Sequence, residues 1–326
     1  ERVQLDKTGC YRIRDAAEAF REALARSPAD ARHSDGLARS LVRTGALDEG
    51  LRLHERAVAL RPEDAELHAN RAASLLVAGR PEQAAESAEL ACRLAPEHQY
   101  AQALRGLAWR ALGDPRAAWL NDYARFVRAV DLPPPPGWAD MAAFNEALAA
   151  ELEAMHGDRR EPIDQTLRHG TQTLGNLFDQ GHPLVDALKQ RIAEAIDRYI
   201  EELPFEAGHP FAGRRGNGWR FTDSWSSRLV RSGYHTDHVH PHGWISSAYY
   251  VRVPAACRDP RRREGWLRFG HPDLDTSRLR LAPQAETMIE PAAGRLALFP
   301  SMAWHGTTPF DDEQARLTIA FDVQPA

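Results

Sequence analysis

The run Tyr234-His235-Thr236-Asp237-His238-Val239-His240-Pro241-His242-Gly243 gathers four of the chain's 14 histidines into one short stretch. Around it, short runs rich in Trp, Val, Ile, Tyr and Phe alternate with Gly, Pro and Asp. These runs are Trp219 to Trp225, Ile245 to Val253, Trp266 to Phe269, Arg295 to Phe299 and Leu317 to Val323. Short strands with turn signals at this spacing predict a β-sandwich or small barrel over about 218–325. On a strand, residues i and i+2 face the same side, so His-x-His or His-x-Asp aims two ligands into the mouth of such a barrel. His305, in Phe299-Pro-Ser-Met-Ala-Trp-His-Gly306, supplies a third from a neighbouring strand. Three ligands with open positions suit Fe(II), which must also take a cosubstrate and O2.

Arg316 follows on the next strand, after a turn at Pro309 to Glu313. Its planar fork can grip a carboxylate bidentately, and Thr318 points to the same face and adds a hydroxyl. Tyr249 and Tyr250 alternate faces, so one of them is expected to reach a cosubstrate carboxylate while the other packs outward. Two ligand sets remain open at this point. His235, Asp237 and His305 spell two histidines and one carboxylate; His238, His240 and His305 give three histidines. On a regular strand the two pairs face opposite sides and cannot serve one metal. His242 and His271 read as turn or surface residues, and Arg258, Arg261, Arg262 and Arg263 as a solvated loop.

Several pieces together resemble a 2-oxoglutarate/Fe(II) oxygenase family of bacterial and phage proteins. They are Ser224-Trp225, Ser232-Gly233-Tyr234, His238-Val-His240-Pro241, Ser246 to Tyr250, Gly294 to Pro300, His305 and Arg316 to Phe321. The resemblance implies a double-stranded β-helix (jelly-roll) core, Fe(II) and 2-oxoglutarate as cofactors, and hydroxylation of a peptide, protein or amino-acid-like substrate. It aligns His-x-His-Pro, so His238, His240 and His305 are the expected metal ligands. Arg316, Thr318, Tyr249 and Tyr250 are the expected cosubstrate residues. Ala248 stands where the family has Gly, and Asp322 where it has a closing Asn; neither is expected to touch a ligand. The rival readings are a cupin-type three-His dioxygenase that does not use 2-oxoglutarate, and a repeat adaptor carrying a silent barrel.

The N-terminal third repeats with a period of 34: Pro28, Pro62 and Pro96; Gly45, Gly79 and Gly113; Ala23, Ala57 and Ala91. Each unit reads as helix, Gly-containing turn, second helix, then Pro opening the next, as in Pro62 to Ala78 and Pro81 to Leu94. Ala38, Ala72 and Gly106 sit where helices approach closely. Residues 11–130 thus resemble the tetratricopeptide repeat, with a third unit whose last helix ends near Val130. The resemblance implies an α-solenoid with a groove for a partner protein or substrate.

The fold class expected is therefore multidomain α + β: a tetratricopeptide solenoid followed by a jelly roll with flanking helices. The boundaries expected are 1–131 for the solenoid, 132–137 for a Pro-rich linker around Pro133 to Pro136, and 138–326 for the oxygenase-like domain. Helices are expected over Ala139 to Met155 and Pro183 to Leu203. In the latter, Leu184, Leu188, Ile192, Ile196 and Ile200 mark a buried face, and the intervening Gln165 to Asn176 reads as irregular. A net charge of -5 gives no reason to expect nucleic acid or an anionic membrane as partner. No apolar stretch approaches the ~20 residues of a membrane span. Three scattered cysteines, Cys10, Cys92 and Cys257, suit a reducing compartment such as the cytoplasm. The chain opens on Glu1, so the natural start is left open.

Overall fold

The computed structural model describes residues 2–157, 165–216 and 218–326. Glu1 and the side chain of Cys10 lie outside the described residues. The chain divides into two compact units, one of Glu1–Trp119 with Leu274–Pro283, the other of Leu120–Asp273 with Gln284–Ala326.

The first unit is helical: α1 (Arg2–Arg26), α2 (Ala31–Arg43), α3 (Leu47–Leu60), α4 (Ala65–Val77), α5 (Pro81–Leu94), α6 (Gln99–Leu112) and α7 (Arg116–Leu120). The starts of α2, α4 and α6 keep the sequence period, as do those of α3 and α5. The caps keep it too. Asp30 accepts from the backbone N–H of Arg32 and His33, Asp64 from Glu66, and His98 Nδ1 from Ala101, which satisfies first-turn donors. Pro62 does not open a helix as expected. It sits in a turn closed by Asp64 N–H donating to Arg61 O at 3.2 Å, and its fixed φ serves that turn while Asp64 starts the helix.

Gly45, Gly79 and Gly113 end α2, α4 and α6 with φ of 93°, 72° and 68°, the left-handed region that a Cβ disfavours. Ala38, Ala72, Ala57 and Ala91 are fully buried between helices. A polar group sits among them: His54, wholly buried, lies 3.1 Å from Asp35 and 2.8 Å from Ser74. The last expected helix does not run to Val130. Asn121 and Asp122 interrupt it, and Asp122 caps the short α8 (Tyr123–Phe126) with its carboxylate on Arg125 N–H. The segment Leu274–Pro283 joins this unit, with Arg110 Nε donating to Ala282 O at 2.8 Å.

The second unit contains β1 (Arg128–Asp131), α9 (Met141–Met155), β2 (Leu167–Gln172), α10 (Pro183–Glu202), β3 (Trp219–His235), β4 (Ile245–Arg252), β5 (Leu267–Phe269), β6 (Thr287–Ile289), β7 (Arg295–Pro300), β8 (His305–Thr307) and β9 (Arg316–Pro325). A six-stranded antiparallel sheet runs β1-β7-β4-β9-β3-β2, and a three-stranded one β6-β5-β8. Two segments read otherwise from sequence. Arg128–Asp131, expected at the end of the helical domain, is an edge strand on β7. Leu167–Gln172, expected to be irregular, pairs with β3 around a bulge between Arg168 and Gly170. Both are short, and neither alternates polar with apolar residues in sequence, so only a waiting sheet edge defines them.

On α10 the buried face is Val185, Leu188, Ile192, Ala195, Ile196 and Tyr199, while Leu184 and Ile200 are only half-buried. A strict four-residue step drifts about 40° per step on a helix of 3.6 residues per turn, so it leaves the buried stripe at both ends. Among the described residues, no helix is long and apolar enough to cross a membrane.

Candidate metal centre

Strand β3 stops at His235, and the histidine run continues as irregular backbone pinned to the other sheet. His238 and His305 exchange both backbone hydrogen bonds, N to O, at 2.8 and 3.0 Å. His240 N–H donates to Ser301 O at 3.0 Å. This brings His238, His240 and His305 together, with ligand nitrogens all within 4.8 Å of one another.

The far nitrogen of each ring fixes its tautomer. His238 Nδ1 lies 2.8 Å from Thr236 O, and His305 Nδ1 lies 2.9 Å from Ala303 O. A carbonyl only accepts, so Nδ1 is the protonated nitrogen and Nε2 keeps its lone pair. His240 Nδ1 lies 2.6 and 2.8 Å from the two oxygens of Asp322, with the same consequence. His238 Nε2 and His240 Nε2 then face each other at 3.1 Å with no hydrogen between them. Two converging lone pairs repel unless a cation sits between them. Burial, and next the neighbouring His240, pushes the His238 ring down to about 3, and burial holds His305 well below the ordinary histidine range. Imidazoles whose Nε2 atoms converge on one point are metal donors, so the residues fit a first-row metal ion.

The competing pair is separated. Asp237 is bound by Arg268 of β5, Nε at 3.1 Å and Nη2 at 2.5 Å. His235 lies on the cavity wall with Nδ1 3.3 Å from Thr166 Oγ1 and its ring centre 6.3 Å from that of His238. The expectation that 235 and 238 face opposite sides fails because the strand is no longer regular between them.

The centre opens into a cavity of about 510 Å³ lined by both sheets. Arg316, Thr318, Ala320 and Asp322 line it from alternate positions of β9, and Asp223, Trp225 and Ser227 from β3. Arg316 is 2% exposed; Nη1 donates to Gly265 O at 2.9 Å, while Nε is buried without a partner. Among the described residues no carboxylate forms an ion pair with it, so a buried cation faces the cavity uncompensated.

The two tyrosines part company. Tyr249 does not reach the cavity: its hydroxyl donates to Asn145 Oδ1 of α9 at 2.7 Å. Tyr250 is fully buried, its ring 5.2 Å from the Arg316 guanidinium and its hydroxyl without a partner. His242, read as bland, is exposed at the cavity rim.

Sequence reasoning missed Asp322, which was not expected to touch a ligand and in fact binds His240. The alternation that placed Arg316 and Thr318 extends two further steps to Ala320 and Asp322, and that signal was sufficient to find it.

Residues 223–322 match the model of a family described as "Putative 2OG-Fe(II) oxygenase". This segment is a 2-oxoglutarate/Fe(II) oxygenase domain. Fe(II) and 2-oxoglutarate are the cofactors of the oxygenase domain, and O2 is its second substrate. No curated protein matches the chain. Among solved structures it is similar to three prolyl hydroxylases. One is the viral collagen prolyl hydroxylase of Paramecium bursaria Chlorella virus-1 in complex with 2-oxoglutarate, at 12% identity and TM-score 0.38, over 62% of this chain and 97% of that one. A Pseudomonas putida prolyl-4-hydroxylase aligns at 21% identity and TM-score 0.39, over 63% and 97%. A Trichoplax adhaerens prolyl hydroxylase, in complex with a peptide of the hypoxia inducible factor, aligns at 13% and 0.42, over 67% and 93%.

Proposed function

We propose that the chain is a hydroxylase in which His238, His240 and His305 hold Fe(II) and Arg316 holds the distal carboxylate of 2-oxoglutarate. One observation carries this reading: three Nε2 lone pairs and one buried guanidinium, with no carboxylate partner among the described residues, face the same cavity. When bound, Fe(II) supplies O2 activation coupled to oxidative decarboxylation of 2-oxoglutarate to succinate. The three rings fix the metal's position. Arg316 orients the dicarboxylic acid, with Thr318 beside it on the same strand face, and Tyr250 supports the guanidinium from below. Leu267, Phe299 and Trp225 line the cavity and limit water around the reacting C–H bond.

On this proposal the two antiparallel sheets are a double-stranded β-helix, and the helical unit is a tetratricopeptide array. Support for the array is the 34-residue repetition of helix starts, caps and left-handed glycines. Such arrays present a groove to peptides, so the proposed substrate class is a peptide, protein or amino-acid-like molecule. Cys92 and Cys257 are free and buried, which suits a cytoplasmic setting.

Succinate release over a panel of peptides and amino acids tests the reading. Turnover dependent on 2-oxoglutarate, abolished in His305→Ala, is expected; equal turnover in that variant refutes it. The all-histidine donor set also fits a cupin-type dioxygenase without 2-oxoglutarate. Calorimetric titration with 2-oxoglutarate separates the two, and no binding at millimolar cosubstrate favours the cupin reading.

A further inference from the structure

We infer that Asp322 is a positioning residue of the metal centre: it holds His240 in the Nδ1–H tautomer and supplies, from behind that ring, the negative charge that an all-histidine ligand set lacks. The inference rests on the proposed iron site. Asp322 is 6% exposed, and among the described residues its carboxylate meets no Arg or Lys. Its partners are His240 Nδ1, at 2.6 and 2.8 Å, and Ser246 Oγ, which donates to Oδ1 at 2.6 Å. Ser246 Oγ is in turn 2.8 Å from Ser301 Oγ.

A buried carboxylate costs several kcal/mol unless a cation compensates it. Two hydroxyl-linked serines are weak compensation. A dication on the far nitrogen of the His240 ring is strong compensation, because the imidazole transmits the charge across its two nitrogens. The surroundings are shaped for this pair. A Cβ on Gly243 would strike Ser301 Oγ and come within 3.3 Å of the Asp322 carboxylate carbon, so the backbone closes over the cradle. Meanwhile Arg268 ties up Asp237, the carboxylate nearest in sequence to the ligands. The centre thus keeps its acidic group behind a ligand instead of on the metal.

The full-length protein is titrated anaerobically with Fe(II), and separately with Co(II) as a spectroscopic probe, in wild type, Asp322→Asn, Ser246→Ala and His305→Ala. Asn keeps shape and an acceptor oxygen but loses the charge. Asp322→Asn is expected to bind either metal about 10–100-fold more weakly, with shifted Co(II) ligand-field bands. The melting temperature of its metal-free form should be unchanged or raised. Ser246→Ala, which removes one hydrogen bond to the carboxylate, is expected to weaken binding less. A merely structural Asp322 predicts a lower metal-free melting temperature with affinity and bands unchanged, and that result overturns the inference. Should Asp322→Asn not fold, wild-type affinity in Ser246→Ala overturns it equally. Failure of the iron-site reading is distinct: wild type then takes up no metal, or His305→Ala binds as tightly as wild type, and the inference falls with it.

Discussion

Asp237, the residue before His238, forms a two-pronged ion pair with Arg268, Nε to Oδ1 at 3.1 Å and Nη2 to Oδ2 at 2.5 Å. On the proposed site, that pair occupies the carboxylate that a two-His-one-carboxylate set would need. It leaves three imidazoles to converge. Charge-assisted fork geometry of this kind is among the stronger side-chain interactions.

Replacing Asp237 with Asn should therefore leave metal affinity within about threefold of wild type, because the ion pair it weakens lies outside the ligand set. Replacing His238, His240 or His305 with Ala should each lower it by at least about 100-fold. Anaerobic titration of the four variants checks both halves. A loss in Asp237→Asn equal to that in His238→Ala would show the carboxylate on the metal.

Arg316→Ala should raise the concentration of 2-oxoglutarate needed for half-maximal turnover by about two orders of magnitude. This corresponds to about 3 kcal/mol of binding energy when a buried charge pair is truncated. Arg316→Lys should recover part of it, since Lys restores the charge without the planar fork. Cosubstrate titration with metal held saturating distinguishes this from a metal-binding defect.

His156 carries a pH dependence of stability. Its ring is buried between Thr171 Oγ1 at 2.9 Å and Ser226 Oγ at 3.1 Å, and burial lowers it from the ordinary 6.5 to about 4. The folded protein therefore favours the neutral ring. Stability is full above about pH 6.5. As pH falls from 6.5 towards 4, the unfolded chain takes up a proton that the folded one refuses, and stability declines by on the order of 2–3 kcal/mol. Below about 4 both states are protonated and this decline stops. Denaturant unfolding across that window should show the decline in wild type and a flatter profile in His156→Gln.

Gly243→Ala should destabilise the second unit by about 1–3 kcal/mol, the range for overpacking a closed site. The new methyl group would meet Ser301 Oγ, and Ser301 Cβ at 3.0 Å. Since Ser301 and Asp322 sit behind His240, weaker metal binding should accompany the reduced stability. Thermal melts with and without Co(II) read both effects.

The sequence by itself determined whatever depends on local periodicity. The 34-residue period set the starts of α2, α4 and α6 and the left-handed glycines between helices, because capping and turn chemistry act within a few residues. Two-residue alternation put Arg316 and Thr318 on one face of β9, and the clustered histidines marked His238 and His240 as candidate metal ligands. What only the tertiary structure decided are contacts between residues far apart in the chain. Strand register brought Arg268 to Asp237 and Asp322 to His240. A waiting sheet edge turned Arg128–Asp131 and Leu167–Gln172 into strands, and Leu274–Pro283 left its sequence neighbours for the helical unit. A strand's own residues specify which side chains share a face; which distant partner meets that face is set by how the sheets pair and pack.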